Sequence, residues 1–422
     1  MSDLGWMDAA LTAARPQVVG ALLRYFRDLD RAEEAYQEAA LRALKTWPQQ
    51  GPPRDPTAWL IMVGRNAALD DVRKASRVEA LPEDHELADP REAEAPLAER
   101  LDNSQYRDDV LRLLFICCHP ALPDTQQIAL ALRIVSGLTV PQIARAFLVT
   151  EAAMEQRITR AKARIARASV PFEAPGPAER SERLAAVATM LYLLFNEGYS
   201  AGDDEARAPL ADEAIRLGYL LLRLFPAEPE IMGLTALMLL QHARLAARFD
   251  AQGEAVLLED QDRSRWNAAL IATGLALIDK AMRHDLPGPY QIQAAIAATH
   301  ARAARAEDTD WARIELLYAA LEHMQPSPVV TLNRAVAASK VHGPEAGLAM
   351  IAPLEQRLAG YFLFFGARGA FLLQLGRRAE ARAEFDRAIS LAGSPAEAAQ
   401  IRRHLDHLIR EAECETAIGP QR

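Results

Sequence analysis

An all-α fold is what this sequence predicts. Ala, Leu, Arg and Glu dominate the chain, and all four favour helix; β-branched runs are scarce and aromatic residues make up 6%. Apolar residues recur at three- and four-residue intervals between breaks rich in proline and glycine. At roughly 100–200 residues per domain, a chain of 422 residues has room for several domains.

The first helix is expected over 7–27, with Leu11, Val18, Val19, Leu22, Leu23 and Phe26 near helical spacing. Asp28 and Asp30 turn the chain, and Asp30 is expected to cap a second helix, 31–46, with Glu33 and Glu34 in its first turn. Pro48, Gly51, Pro52 and Pro53 should end it. Pro56 suits the first turn of a third helix reaching Ala75. Its apolar set is Trp59, Leu60, Met62, Val63, Ala67, Leu69 and Val72, and Gly64 lowers its propensity by about 1 kcal/mol against alanine. These residues make a first domain, 1–75. Residues 76–105 contain Pro82, Pro90 and Pro96, many acids and few large apolar groups, and read as an acidic linker.

A second domain follows over 106–170, with helices at 106–118, 124–135, 139–148 and 151–168. From 178 to 412 helix follows helix. Breaks fall at Gly198–Asp203, Pro226–Pro229, Gly253, Pro287–Pro289, Pro326–Pro328, Gly343–Pro344, Gly376 and Gly393–Pro395. In 371–394 two helices meet at Gly376, with Ala379, Ala381 and Ala388 where they would touch; 332–351 is a looser copy. That spacing resembles tetratricopeptide units and predicts a repeat-like C-terminal domain, the alternative being an ordinary helical bundle.

Charge is unevenly spread. The whole chain carries −9, residues 1–170 carry −2, and 171–422 carry −7. Within the first part, 79–109 alone holds 11 acids against 3 bases, so the segments on either side of it are mildly basic. Basic segments suit a phosphate backbone. Three cysteines, Cys117, Cys118 and Cys414, two of them adjacent, fit a reducing compartment. No basic-then-apolar leader opens the chain and no apolar run reaches membrane-spanning length, so a cytoplasmic protein with no membrane partner is expected.

The stretch 124–168 is the most informative. One helix ends at Ser136-Gly137, Thr139 caps a short helix with Ile143, Ala144 and Phe147, and Thr150 caps a last helix with Met154, Ile158, Ala161 and Ile165 inward. This is a helix-turn-helix pattern. Ala152 and Ala153 permit close approach to a major groove. Gln156 suits adenine and Arg157 or Arg160 suits guanine. Lys162, Arg164 and Arg167 suit phosphates. The alternative is a helix pair with a solvated basic face.

Residues 28–48 (DLDRAEEAYQEAALRALKTWP), 56–74 (PTAWLIMVGRNAALDDVRK) and 124–168 resemble, in that order, an extracytoplasmic-function (group 4) sigma factor of bacterial RNA polymerase. ICCHPAL at 116–122, LYLLFNEGYS at 191–200 and LNRAVA at 332–337 are similar to the subgroup with a large helical, tetratricopeptide-like C-terminal domain. The resemblance implies that 1–75 binds core polymerase and the −10 element and that 106–170 binds the −35 element. Glu33, Glu34, Gln37 and Glu38 would dock on the β′ clamp helices, with Leu41 and Leu44 supporting that helix from the core side. Arg65, Asn66, Asp70 and Arg73 would face the −10 element, and Ala152, Ala153, Gln156, Arg157, Arg160, Lys162 and Arg164 the −35 element. The β flap is a second implied polymerase contact, and an unidentified regulatory protein or ligand is implied at 178–412. Tyr36 and Asp71 depart from the family's usual residues.

No phosphate-binding loop, zinc-protease or nucleophile-elbow motif occurs, and Cys117, Cys118 and His119 lack a second ligand pair. No catalytic residue, metal or cofactor is expected. The competing functions are a helix-turn-helix regulator with a helical sensing domain and no polymerase contact, and an interaction scaffold. The first leaves residues 1–75 without a role.

Overall fold

The computed structural model describes residues 5–51, 53–76, 103–147, 149–168, 177–199, 209–250 and 255–392, with 398, 401, 402 and 405 beyond them. The chain forms two compact units, Met1–Leu194 and Phe195–Arg422. Among the described residues the regular structure is helical, apart from an isolated bridge between Phe249 and Ala255.

In the first unit, α1 (Gly5–Phe26), α2 (Leu29–Gln50) and α3 (Pro56–Ser76) pack around one core. Val18, Val19, Leu22 and Leu23 of α1 meet Ala32, Ala35, Ala39 and Ala43 of α2 and Leu60, Val63 and Ala67 of α3, all buried. Trp47 packs edge-on against Trp59 at 5.4 Å, and Trp6 stacks on Trp47. Tyr36 is buried, donating its hydroxyl to the Leu11 carbonyl at 3.1 Å beneath the Arg15 guanidinium. The alanines of α2 let helices approach closely, and Gly64 completes this: a Cβ there would lie 2.9 Å from the Ala35 carbonyl oxygen.

Two boundaries differ from expectation. Asp28, not Asp30, caps α2, its carboxylate accepting from the Asp30 and Arg31 amides at 2.9 and 3.1 Å. Both aspartates suit a cap, and the one whose side chain reaches the first free amides wins. Pro48 does not end α2, which runs to Gln50 and closes where the Gly51 amide donates to Trp47. A proline this late forfeits one bond of a turn that is already ending.

The second helical group comprises α4 (Asn103–Cys117), α5 (Asp124–Ala131) running into a π-helical turn (Leu132–Ser136), α6 (Val140–Ala146) and α7 (Glu151–Arg167); α8 (Pro177–Tyr199) follows. Gly137, at φ 77°, stops the π turn. Thr139 and Gln142 cap α6 reciprocally: the hydroxyl accepts from the Gln142 amide, and the Gln142 side chain accepts from the Thr139 amide at 2.8 Å. Thr150 caps α7 through the Ala153 amide at 3.2 Å. Cys117 and Cys118 are buried free thiols; burial pushes Cys118 up to about 12 and holds Cys117 well above the ordinary thiol value. Most of the acidic linker lies outside the described residues.

The second unit contains α9 (Pro209–Leu224), α10 (Pro229–His242), α11 (Leu245–Arg248), α12 (Ala268–Met282), α13 (Pro289–Arg302), α14 (Trp311–Met324), α15 (Pro328–His342), α16 (Pro344–Ile351), α17 (Phe362–Gln374) and α18 (Arg378–Leu391). α10 is buried nearly all round, packed against α9, α12 and α13. Helices α17 and α18 pair across the turn at Gly376, joining Phe364, Phe365, Phe371 and Phe385 into one core with Leu332 and Ile351. Ala381 and Ala388 sit in that contact, whereas Ala379 is exposed. The breaks expected at Gly253 and Gly393–Pro395 lie outside the described residues. Between α13 and α14 the chain turns without glycine or proline, using Asp310 as a cap for the Arg313 amide at 2.9 Å. Two histidines that look isolated in sequence have partners: His300 packs edge-on against Trp311, and His342 Nε2 lies 2.9 Å from Glu315.

Candidate functional site

The inward stripe Met154, Ile158, Ala161 and Ile165 is buried and fixes the rotation of α7. The opposite side then presents Ala152, Ala153, Gln156, Arg160 and Arg164, all exposed, with Arg157 half-buried. Small residues in the first turn, amide and guanidinium groups in the second, and bases beyond make a surface suited to a groove with phosphates on its rim. Arg164 also donates to the Ala121 carbonyl at 3.2 Å.

On α3, Asn66 is exposed and Arg65 half-buried. The Arg65 guanidinium lies 5.9 Å from the ring centre of Tyr25, which is 52% exposed at the end of α1. Sequence reading passed over Tyr25; its signal is an exposed aromatic beside a base. Asp70 and Arg73 fall on α3, but their side chains lie outside the described residues.

On α2, Glu34 and Gln37 are exposed, and Glu38 pairs with Arg42 at 3.0 Å. Leu41 and Leu44 do not support the helix from the core; they are 53% and 52% exposed. Three- and four-residue steps place them on the face of Glu34 and Gln37, because the alanines 35, 39 and 43 take the buried stripe. Glu33 leaves that open face. It is 4% exposed and turned towards the second helical group.

There Glu33 meets three cations: Arg133 at 2.8 Å, Lys162 at 3.0 Å and Arg15 at 3.5 Å. Lys162 also binds Asp30 at 2.6 Å. Burial alone would lower the Lys162 pKa, but the hydrogen bonds and charges of Asp30 and Glu33 outweigh it and the net shift is upward. Lys162 thus joins α7 to α2 instead of standing among the solvated bases. It follows Ala161 at the edge of the buried stripe, within reach of α2. Arg15 Nε donates to the Ile134 carbonyl at 3.0 Å and its Nη2 to the Arg133 carbonyl at 3.1 Å.

The second unit contains a cavity of about 520 Å³ whose lining includes Arg263, His300, Trp311 and Lys340. Burial, with Arg244 and Arg263 nearby, lowers His300 to about 4, so its ring is neutral. Among the described residues no group of three or more His, Cys, Asp or Glu is placed to hold a metal ion. No described helix is long and apolar enough to cross a membrane.

Residues 11–78 match sigma-70 region 2, and 112–165 match sigma-70 region 4. Residues 183–282 match a family of unknown function. An uncharacterized protein of Rhizobium meliloti is 68% identical over 413 residues, covering 97% of this chain and 98% of that one, and the two belong to one family. No solved structure matches the chain. Two promoter-recognition regions in their proper order, lying on the helices just described, identify the chain as a sigma-70 family sigma factor that carries region 2 and region 4 ahead of an uncharacterized C-terminal domain.

Proposed function

We propose that the protein binds core RNA polymerase through the open face of α2, and that region 2 then reads the −10 element while α7 reads the −35 element. The reading belongs to the extracytoplasmic-function group, with 178–412 as a tetratricopeptide-like regulatory domain and the cytoplasm as its setting. The observation that carries it is the pairing of two different exposed faces: acids, an amide and two leucines on α2, and small residues, an amide and arginines on α7. An acidic and apolar face suits a protein partner. The α7 face suits base edges and phosphates. Tethering two weak modules raises the effective concentration of the second once the first is bound.

Melting then draws on binding energy, and nucleotide transfer belongs to the polymerase. Reconstitution with core polymerase and transcription from selected promoters tests the proposal. Leu41→Asp with Leu44→Asp should weaken core binding at least tenfold, on the order of 1.4 kcal/mol or more. Unchanged core affinity in that double variant sinks the assignment of α2.

A further inference from the structure

Two cavities in the second unit share four lining residues, Leu257, Glu259, Trp311 and Lys340, and so meet as one cleft. The larger, of about 520 Å³, carries both signs of charge in its wall, Arg263 and Lys340 against Glu259, Asp260 and Glu307. The smaller, of about 340 Å³, runs between α15 and α17 among Leu332, Val336, Leu363, Ala367 and Phe371. Lys340 lies eight residues beyond Leu332 on α15, so this apolar arm extends about 12 Å from the neck where the cavities meet. Gly366 sets the width of the arm. A glycine inside a helix weakens it. Gly369, one turn on, has a packing reason: a Cβ there would lie 3.0 Å from the Phe385 ring. A Cβ on Gly366 would meet nothing within 4 Å, because the space beside it is the cleft.

At the neck stands an ion pair, Lys340 Nζ to Glu259 at 3.7 Å, both side chains partly exposed. That is long for a charge-assisted hydrogen bond, so the two groups hold each other loosely. Lys340 also lies 5.9 Å from the ring centre of Trp311. A head group with a single charge entering here would pair with one partner and strand the other. A head group with both charges exchanges the pair: its anion takes Lys340, its cation takes Glu259 and the face of Trp311, and no charge is left alone. Beyond the neck, Arg263 is locked over the Trp266 ring and by the His300 and Ala303 carbonyls at 2.6 and 2.8 Å, which leaves its Nε and Nη2 hydrogens for an anion. The neutral His300 ring adds a donor and an acceptor to the same wall without adding charge. We infer that this cleft binds a single-tailed amphiphile with a zwitterionic head of the phosphocholine type, its phosphate at Lys340 and Arg263, its ammonium at Glu259 and Trp311, and its tail between α15 and α17. What such binding does to transcription rests on the proposed regulatory role of 178–412.

The test titrates the full chain by calorimetry with octylphosphocholine below its micellar concentration, and with octyltrimethylammonium, octyl sulfate and octyl glucoside. The zwitterion should bind at least tenfold more tightly than each of the other heads. Lengthening the tail from hexyl to octyl should tighten binding about fifteenfold, roughly fourfold for each methylene buried. Gly366→Leu fills the tail arm with a better helix former, in space where no protein atom stands in the way. Its unfolding midpoint should hold or rise while its affinity falls at least tenfold. Lys340→Met should shift preference towards the ammonium head, and Glu259→Gln towards the sulfate. Equal affinity for all four heads, no gain with tail length, or unchanged affinity in a folded Gly366→Leu variant would each overturn the site. Promoter-directed transcription at saturating octylphosphocholine separates the two readings. A change seen in wild type and missing in Gly366→Leu supports both. Binding with no change in transcription keeps the site and removes the regulatory role.

Discussion

At Gly64 the third helix passes so close to the second that one added carbon must push them apart. In solvent an alanine would help this helix by about 1 kcal/mol, but here the steric cost decides the sign. Gly64→Ala should destabilise the first unit by about 1–3 kcal/mol, measured by urea unfolding. His300 makes the corresponding case for charge. Its folded pKa of about 4 lies below its ordinary 6.5, so the unfolded chain takes up the proton first as pH falls. The stability this neutral ring provides is therefore complete at neutral pH and drains away between about 6.5 and 4, to a total on the order of 3 kcal/mol. Denaturation at pH 7.5 and 4.5 should show a smaller acid loss in His300→Gln than in wild type. An equal loss removes His300 from the account.

Helix caps and stripes were legible at the scale of the element. The caps at Thr139 and Thr150 and the inward face of α7 could be read from spacing because each is a local pattern closed within a few residues. The cap at Asp28, the π turn at 132–136 and the exposure of Leu41 and Leu44 were not legible. Each depends on which neighbour occupies the space beside the helix, and a sequence does not state that. The same limit hid the destinations of Glu33 and Lys162: both carry the right charge for their proposed partners, yet each lies within reach of the other. Arg157, by contrast, is half-buried between the inward stripe of α7 and the exposed Gln156 and Arg160. Arg157→Ala should cost about 1–3 kcal/mol in upstream-element binding and leave core affinity unchanged, read by transcription from promoters with and without the upstream element.

Across the whole molecule, residues 1–170 carry −2 and 171–422 carry −7, and the chain forms two compact units divided after Leu194. The boundary of these units falls within α8, where the sequence shows neither glycine nor proline between residues 178 and 197. Such a division follows from where contacts cluster, which local composition does not record. With 178–412 proposed as a regulator, C-terminal truncations assayed on a fixed promoter should change transcription in at least one member of the series. Identical activity throughout would leave that domain without a part in initiation.

The adjacent thiols at the end of α4 have a use of their own. A protonated sulfur sealed from solvent is a poor nucleophile, so Cys117 and Cys118 should resist iodoacetamide for as long as their surroundings stay packed. Mass spectrometry of timed alkylation would then clock each excursion in which region 4 loosens. The protein thereby carries its own chemical recorder, and no foreign probe is needed.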